Sequence, residues 1–259
     1  MENVPEHIPA TRPWAEPPKA VVLPEDVLHP IKTITCGCCG DHFFKVKLGC
    51  GDRTCPACRK KFYGHHFKFL VGLVSGWASV RFMTLTLKNI PDKDFGKNDV
   101  RFLRKCFARL RVRFPQIGGG FYVVQDTNVG KGHHPHIHVL YDGLFVSQES
   151  LKKAWAEITG GSFIVDIRAV PDPKGAVHYL LKDFLQAPRI RPEDRDRFNE
   201  VFKGSRMVQG FGRYSKTKFR VPYKCPKCGG TYWLDEDRFY AFMHPGEKRI
   251  YHRSFLDDS

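Results

Sequence analysis

The sequence predicts an α+β fold: an antiparallel sheet with helices packed on one face, preceded by a zinc-binding module. Three observations predict it. Runs of period-2 hydrophobicity alternate with runs of helical period between residues 80 and 185, cysteines cluster just before them, and the first thirty residues show no apolar period at all.

Taken in order, residues 1–30 carry seven prolines and bury too little to repay their ordering entropy, which predicts an extended arm. A cysteine-rich stretch follows from Cys36 to Cys58. Residues 80–88 alternate Phe82, Thr84 and Thr86 with Met83, Leu85 and Leu87, the mark of a strand with one buried face. Between 97 and 114, Val100, Leu103, Phe107 and Leu110 recur at helical spacing with Cys106 beside them, and Pro115 with Gly118 to Gly120 stops the helix. Residues 121–126 and 136–141 predict a β-hairpin. Ser147 opens a second helix through Ile158, built on Leu151, Ala154 and Trp155 and halted by Gly160 and Gly161. Residues 163–168 are β-rich, and Pro173 starts a third helix carrying Val177, Leu180, Leu181, Phe184 and Leu185. The order β-α-β-β-α-β-α predicts a ferredoxin-like or RRM-like sheet.

Lys and Arg number 42 against 27 Asp and Glu, a net charge of +15 that points to a polyanionic partner, nucleic acid first. The excess recurs along the chain, around Arg101, Arg109 and Arg189. No apolar run approaches the ~20 residues of a membrane span, and the N-terminus lacks the pattern of a signal peptide, so a soluble, cytoplasmic protein is expected. In such a compartment nine cysteines, several two residues apart, indicate zinc rather than disulfides.

Two short patterns carry chemistry. His136 and His138 lie two apart in a strand, point to the same side and can reach one divalent ion. Tyr179 and Lys182 lie three apart on a helix and share a face, which sets a phenolic nucleophile beside a cation that can bind phosphate. Each has an ordinary alternative: surface histidines in a His-rich turn with His133 and His134, and a packing tyrosine beside a solvated lysine.

Together, and in this order, Phe82-Met-Thr-Leu-Thr-Leu, His134-Pro-His-Ile-His-Val-Leu and His178-Tyr-Leu-Leu-Lys182 resemble the three motifs of the HUH endonucleases, in particular rolling-circle replication initiators with one nucleophilic tyrosine. The resemblance covers about residues 36–190. It implies a catalytic Tyr179 and Lys182, and a Mg²⁺ or Mn²⁺ held by His136, His138 and a third ligand on the preceding strand. Gln125 occupies that kind of position; Asp126, on the opposite face, and His178 remain alternatives. It further implies single-stranded DNA or an origin hairpin as substrate, a host helicase and polymerase as partners, no membrane, and leaves a homodimer open. The chain then divides into an arm (1–30), a zinc module (31–75), a nuclease core (76–190) and a basic C-terminal extension (191–259).

Within the module, Cys36 and Cys39 with Cys55 and Cys58 make two C-x-x-C knuckles, with Cys50 and Cys38 as alternative zinc ligands. Cys225 and Cys228 form a half site that takes either His244 or His252, or surplus thiolates of the N-terminal module, which would fold the tail onto the head. Backbone contacts to DNA are expected from Arg101, Arg104, Lys105, Arg109, Arg111 and Arg113, and from the tail around Lys216 and Lys218, with Phe211 and Tyr214 available to stack on bases. The resembled initiators can carry a glutamate four residues before the tyrosine; here Gly175 stands there, and Asp172 and Asp183 are the nearest carboxylates in sequence. A transposase of the same class, or a zinc-ribbon protein that binds nucleic acid without cutting it, are the competing functions.

Overall fold

Strict alternation over Val80–Thr86 (β3), with Met83 and Leu85 pointing one way and Phe82 and Thr84 the other, places one strand between two apolar layers. The computed structural model describes residues 29, 31–128, 132–185, 192–219, 224–235, 238 and 243. Around β3 it builds a five-stranded antiparallel sheet from β4 (Gly119–Asn128), β5 (His133–Asp142), β6 (Val165–Ala169) and β7 (Val208–Gly212), in the order β6-β3-β5-β4-β7. Leaving out β7, this is the ferredoxin-like order that the element succession predicts. At Gly120 a Cβ would lie 2.1 Å from the Leu140 carbonyl oxygen, so β4 and β5 reach this spacing only with glycine there.

The helices of the two crossovers, α2 (Lys97–Arg113) and α3 (Gln148–Thr159), share one face, as expected. Their apolar stripes, Leu103, Phe107 and Leu110 with Leu151 and Trp155, close over Met83, Leu85, Ile137 and Val139. Trp155 is fully buried and its indole N–H donates to the Thr86 carbonyl at 2.7 Å, so the ring brings ~1.5–3 kcal/mol of apolar burial with no lost hydrogen bond. Ser147 caps α3 by accepting from the Ser150 amide, and Gly160 ends it at φ 74°.

The opposite face is covered as well. There α4 (Pro173–Leu181) lays Val177, Leu180 and Leu181 over Phe82, Val123 and Leu140, and α1 (Pro56–Val74) packs against α4 through Leu70, Val74 and half-buried Phe62 and Tyr63. The third predicted helix ends sooner than expected, with Lys182–Phe184 in a single tighter turn. The sequence reading did not foresee α1, whose start is set by Pro56 directly after Cys55.

A second, three-stranded sheet joins distant parts of the chain. β1 (Ile31–Cys36) pairs with β2 (Phe43–Lys47) on one side and with β8 (Trp233–Asp235) on the other. Both β7 and β8 come from the segment 191–259, as does α5 (Arg195–Phe202), which packs on α2 with Val201 and Phe202 against Val100 and Phe95. The prolines of the arm, Arg189, His244 and His252 lie outside the described residues. No helix among the described residues is long and apolar enough to cross a membrane.

Candidate active site and metal centres

Register decides which side chains meet. Thr86 pairs with His136 and His136 with Gln125; one step along, Thr84 pairs with His138. Because residues opposite one another in a ladder share a face, Thr84, Thr86, Gln125, His136 and His138 form one polar patch on the side covered by α4.

Each histidine is held with one nitrogen turned outward. His136 Nδ1 donates to the His134 carbonyl oxygen (2.9 Å), and His138 Nδ1 shares a hydrogen bond with Thr84 Oγ1 (2.9 Å). Both rings thus have an outer partner on Nδ1, the arrangement seen when such a partner orients a metal-ligating imidazole. His136 Nε2 lies 3.1 Å from Gln125 Oε1, and the Gln125 amide nitrogen is buried without a hydrogen-bond partner. The three residues therefore fit a divalent ion with nitrogen and oxygen ligands. Burial holds His138 down, with help from the nearby charges of His136 and Lys182, to a pKa of about 3, so its ring is neutral.

Tyr179 stands on α4 directly over this patch. Its ring centroid is 6.0 Å from that of His138 and 4.9 Å, edge-on, from that of Phe82, and it is 45% exposed, so a ligand can reach it. Lys182 Nζ lies 3.8 Å from the centre of the Tyr179 ring, stacked as a cation on the aromatic face. His178 turns the other way, into a 2.8 Å hydrogen bond with the Tyr63 hydroxyl of α1, and is not a third ligand. Asp126 is on the opposite side of β4, bonded to His133, and is not one either.

The edge strand β6 adds two residues that sequence reasoning missed. Asp166 pairs in register with Thr84, and Arg168 with Phe82, so both face the patch. They form a 2.9 Å ion pair, and Arg168 is close enough to Tyr179 to feel its charge. The period-2 pattern of residues 163–168 held this information, since Asp166 and Arg168 alternate with Val165 and Ile167, but only the neighbouring strand says which face is the site. Asp172 caps α4 through the amides of Lys174 and Gly175, and a Cβ at 175 would come within 2.5 Å of its carboxylate.

The cysteines form two clusters, paired differently from the expected four-thiolate knuckle set. Cys36 and Cys39 meet Cys225 and Cys228, with Sγ–Sγ distances of 3.6 Å (Cys36–Cys228) and 3.9 Å (Cys39–Cys225). Cys55 and Cys58 meet Cys50 and His29, with Cys50–Cys58 at 3.6 Å and His29 Nε2 at 3.2 Å from Cys58 Sγ. Thiolates bound ~2.3 Å from a tetrahedral zinc stand ~3.8 Å apart, so each set can hold one ion. The pairing follows from the sheets: β1–β8 ladders bring the first and last knuckles together, whereas the start of α1 carries Cys55 and Cys58 away from them. At Cys36 burial raises the thiol, but the amides of Cys39 and Cys38 and the Cys228 thiol bring it down to about 6, towards the thiolate a metal needs. Cys38 belongs to neither cluster, and Cys106 is buried core. His29 was missed because it sits in the proline-rich stretch; the signal was that Cys50, Cys55 and Cys58 are three and want a fourth ligand.

The basic residues of α2 lie across the sheet from Tyr179. Arg113 is paired with Glu157, and Arg111 lies 4.9 Å from the centre of the Phe211 ring. Phe211 is itself buried core, and Tyr214 packs on Trp77 and Phe121, which corrects the expectation that either stacks on bases.

Ladder order, the H-x-H strand and the tyrosine helix laid over it agree with the resemblance read from the sequence, and the chain is similar to a Rep protein. The particular relative is Protein rep of Streptococcus pneumoniae serotype 2 (strain D39 / NCTC 7466), 24% identical over 218 residues that cover 73% of this chain and 68% of the relative. Among solved structures, the hypothetical protein ORF119 of Sulfolobus islandicus rod-shaped virus 1 is 19% identical with a TM-score of 0.27, covering 48% of this chain and 90% of its own. The N-terminal nuclease domain of minute virus of mice non-structural protein 1 is 13% identical with a TM-score of 0.23, covering 68% and 80% respectively. No family model matches the chain.

Proposed function

We propose that the protein is a replication initiator that nicks single-stranded origin DNA through Tyr179. The observation that carries this reading is the placement of an exposed tyrosine, with a lysine on its ring, over two histidines and a glutamine gathered on one face of the sheet. The similarity to a Rep protein supports a replication nuclease in general terms.

In this reading the Tyr179 hydroxyl oxygen attacks the phosphorus and gives up its proton to solvent, the bond to the 3′ oxygen breaks, and that oxygen leaves as a hydroxyl after taking up a proton from solvent. The chain keeps the 5′ phosphate as a phosphotyrosine diester, and a host polymerase extends the free 3′ end while a host helicase opens the duplex. Lys182, and Arg168 held by Asp166, bind non-bridging phosphate oxygens and fix the line of attack. A Mg²⁺ or Mn²⁺ held by His136, His138 and Gln125 supplies Lewis-acid stabilisation of the phosphoryl charge. The zinc clusters are closed and keep no open position, so their role is structural. Asp172 is engaged as a cap, Gly175 offers no carboxylate and Asp166 is paired with Arg168, so the reaction ends by strand transfer from Tyr179 rather than by water.

The test is Tyr179→Phe, incubated with labelled single-stranded origin DNA and Mn²⁺ and run on a denaturing gel. The covalent adduct should vanish while binding to uncut DNA is retained, since one hydroxyl on an exposed ring does not hold α4 in place. An adduct that survives would move the nucleophile to another residue.

A further inference from the structure

On the far side of the sheet, α2, α5 and the start of β7 enclose a cleft of about 350 Å³ that the site above does not use. Lys97, Arg101, Arg104, Lys203 and Arg206 line it, with Gln209 at its β7 end. Among the described residues no carboxylate lines it, and Glu200 on α5 is paired with Lys97 at 3.2 Å. The floor is apolar, from buried Val100 and Val201, so the charges act against a low-dielectric wall, which strengthens their field.

Two further features show that the cleft is built rather than incidental. Arg104 reaches inward, its guanidinium 3.3 Å from Ser205 Oγ and 3.5 Å from the Arg206 carbonyl oxygen, while its Nε is buried without a partner. Arg53, brought from the zinc module, donates to the Ser205 carbonyl from behind, so two guanidinium groups converge on one serine. The loop that delivers Arg53 is fixed: Asp52 forms an ion pair with Arg195 and accepts from Asn199 (2.8 Å), both on α5. Cations gathered in this way repel one another, and an anion in the cleft relieves the repulsion.

We infer that this cleft is a second DNA-binding site, one that grips the phosphodiester backbone of the strand or duplex flanking the nick on the face of the sheet opposite Tyr179. It shares with the proposed nicking reaction only its ligand class, and it stands or falls apart from that chemistry. It also narrows the basic stripe of α2 to the residues that face the cleft, Arg101 and Arg104. Lys105 and Arg109 are outside it, and Arg113 is tied to Glu157. Backbone contacts of this kind position a nucleic acid without reading its sequence.

The experiment measures binding of a fluorescent single strand and of a duplex, each long enough to extend well beyond the nick, by anisotropy over a salt series, in Tyr179→Phe protein so that covalent capture plays no part. An Arg101→Ala/Arg206→Ala variant is compared with Lys152→Ala/Lys153→Ala, which removes the same charge from exposed positions of α3. All four side chains are exposed, so zinc content and melting temperature serve as checks on folding. Each phosphate contact contributes ~0.7 to the salt slope on a single strand and ~0.9 on a duplex, so the cleft variant should bind roughly ten-fold or more weakly at low salt and lose about 1.4 or 1.8 from the slope on whichever form it grips. The control variant should stay near the parent. Equal affinities and slopes for the two variants on both probes would overturn the assignment, whatever Tyr179 proves to do.

Discussion

The β4–β5 hairpin carries two histidine–oxygen pairs, one on each face of the sheet, and they are built for different ends. On the core face His133 Nδ1 lies 2.6 Å from Asp126 Oδ2 beneath the Phe95 ring, 4.1 Å between centroids, with both side chains almost wholly inaccessible. Burial raises the Asp126 carboxyl and His133 pulls it back, and the outer atoms of the pair, Asp126 Oδ1 and His133 Nε2, are buried without a hydrogen-bond partner. On the site face His136 Nε2 lies 3.1 Å from Gln125 Oε1, beside His138 and the half-exposed Tyr179. A carboxylate sealed against a histidine in the core is a structural link, whereas a neutral amide and two imidazoles beneath a half-exposed tyrosine are open to a cation. Residue type alone does not separate the two; the partner does.

The sharpest break between the faces is His138→Ala or His136→Ala. Either should cut cleavage by ~100-fold or more and weaken Mn²⁺ binding, because each removes one of three protein ligands, while the melting temperature barely moves. Calorimetric Mn²⁺ titration with a nicking assay tests this, and unchanged Mn²⁺ binding in both variants would refute the metal site. The mirror experiment is Asp126→Ala, which strands a buried histidine and should cost about 3 kcal/mol, roughly 6–12 °C in a domain of this size. Thermal and denaturant melts measure it. Protein that remains folded should nick normally, and a large loss of activity without loss of stability would erase the distinction between the faces.

Zinc bears on the same contrast, since α1 begins at Cys55 and covers only the site face. Elemental analysis should find two zinc ions per chain, one for each cluster. Chelation should cost about 2 kcal/mol or more, because metal binding to such modules is largely folding energy, and proteolysis should open α1 before α2. A metal-free protein with an unchanged melt would remove the clusters from the folding account. The smallest expected effect is Thr84→Val, which removes the hydroxyl partner of His138 Nδ1 and should weaken Mn²⁺ about ten-fold with little change in stability.

Much of the large sheet was legible because each run is self-contained. Met83, Leu85 and Leu87 declare a strand, and Leu151, Trp155 and Ser147 declare a helix and its start, with no partner needed. The tyrosine and the histidine pair were legible for the same reason, as short spacings on single elements. What the sequence withheld depends on contacts between distant elements. Gln125 and Asp126 are adjacent, and only the pairing of Gln125 with His136 chooses between them. Arg168 looks like any exposed arginine until its strand is laid beside Phe82. Among the cysteines, proximity in sequence favoured joining the first two knuckles, while the ladder between β1 and β8 joins the first and last, the alternative in which the tail takes thiolates of the N-terminal module.

That last pairing sets a timetable for how the chain is made. Cys36 and Cys228 are 192 positions apart, so the first cluster cannot close until nearly all of the described structure has been synthesised. Contacts of such long range form late, after the sheet between them has condensed from nearer pairings. The hairpin of β1 and β2 must therefore wait with two of its thiols unmatched, while the ligands from Cys50 to Cys58, only eight positions apart, assemble early with the start of α1. A ribosome-bound intermediate should hold one zinc ion and a nearly finished nuclease sheet, with its first strand pair idle until its partner from the far end arrives.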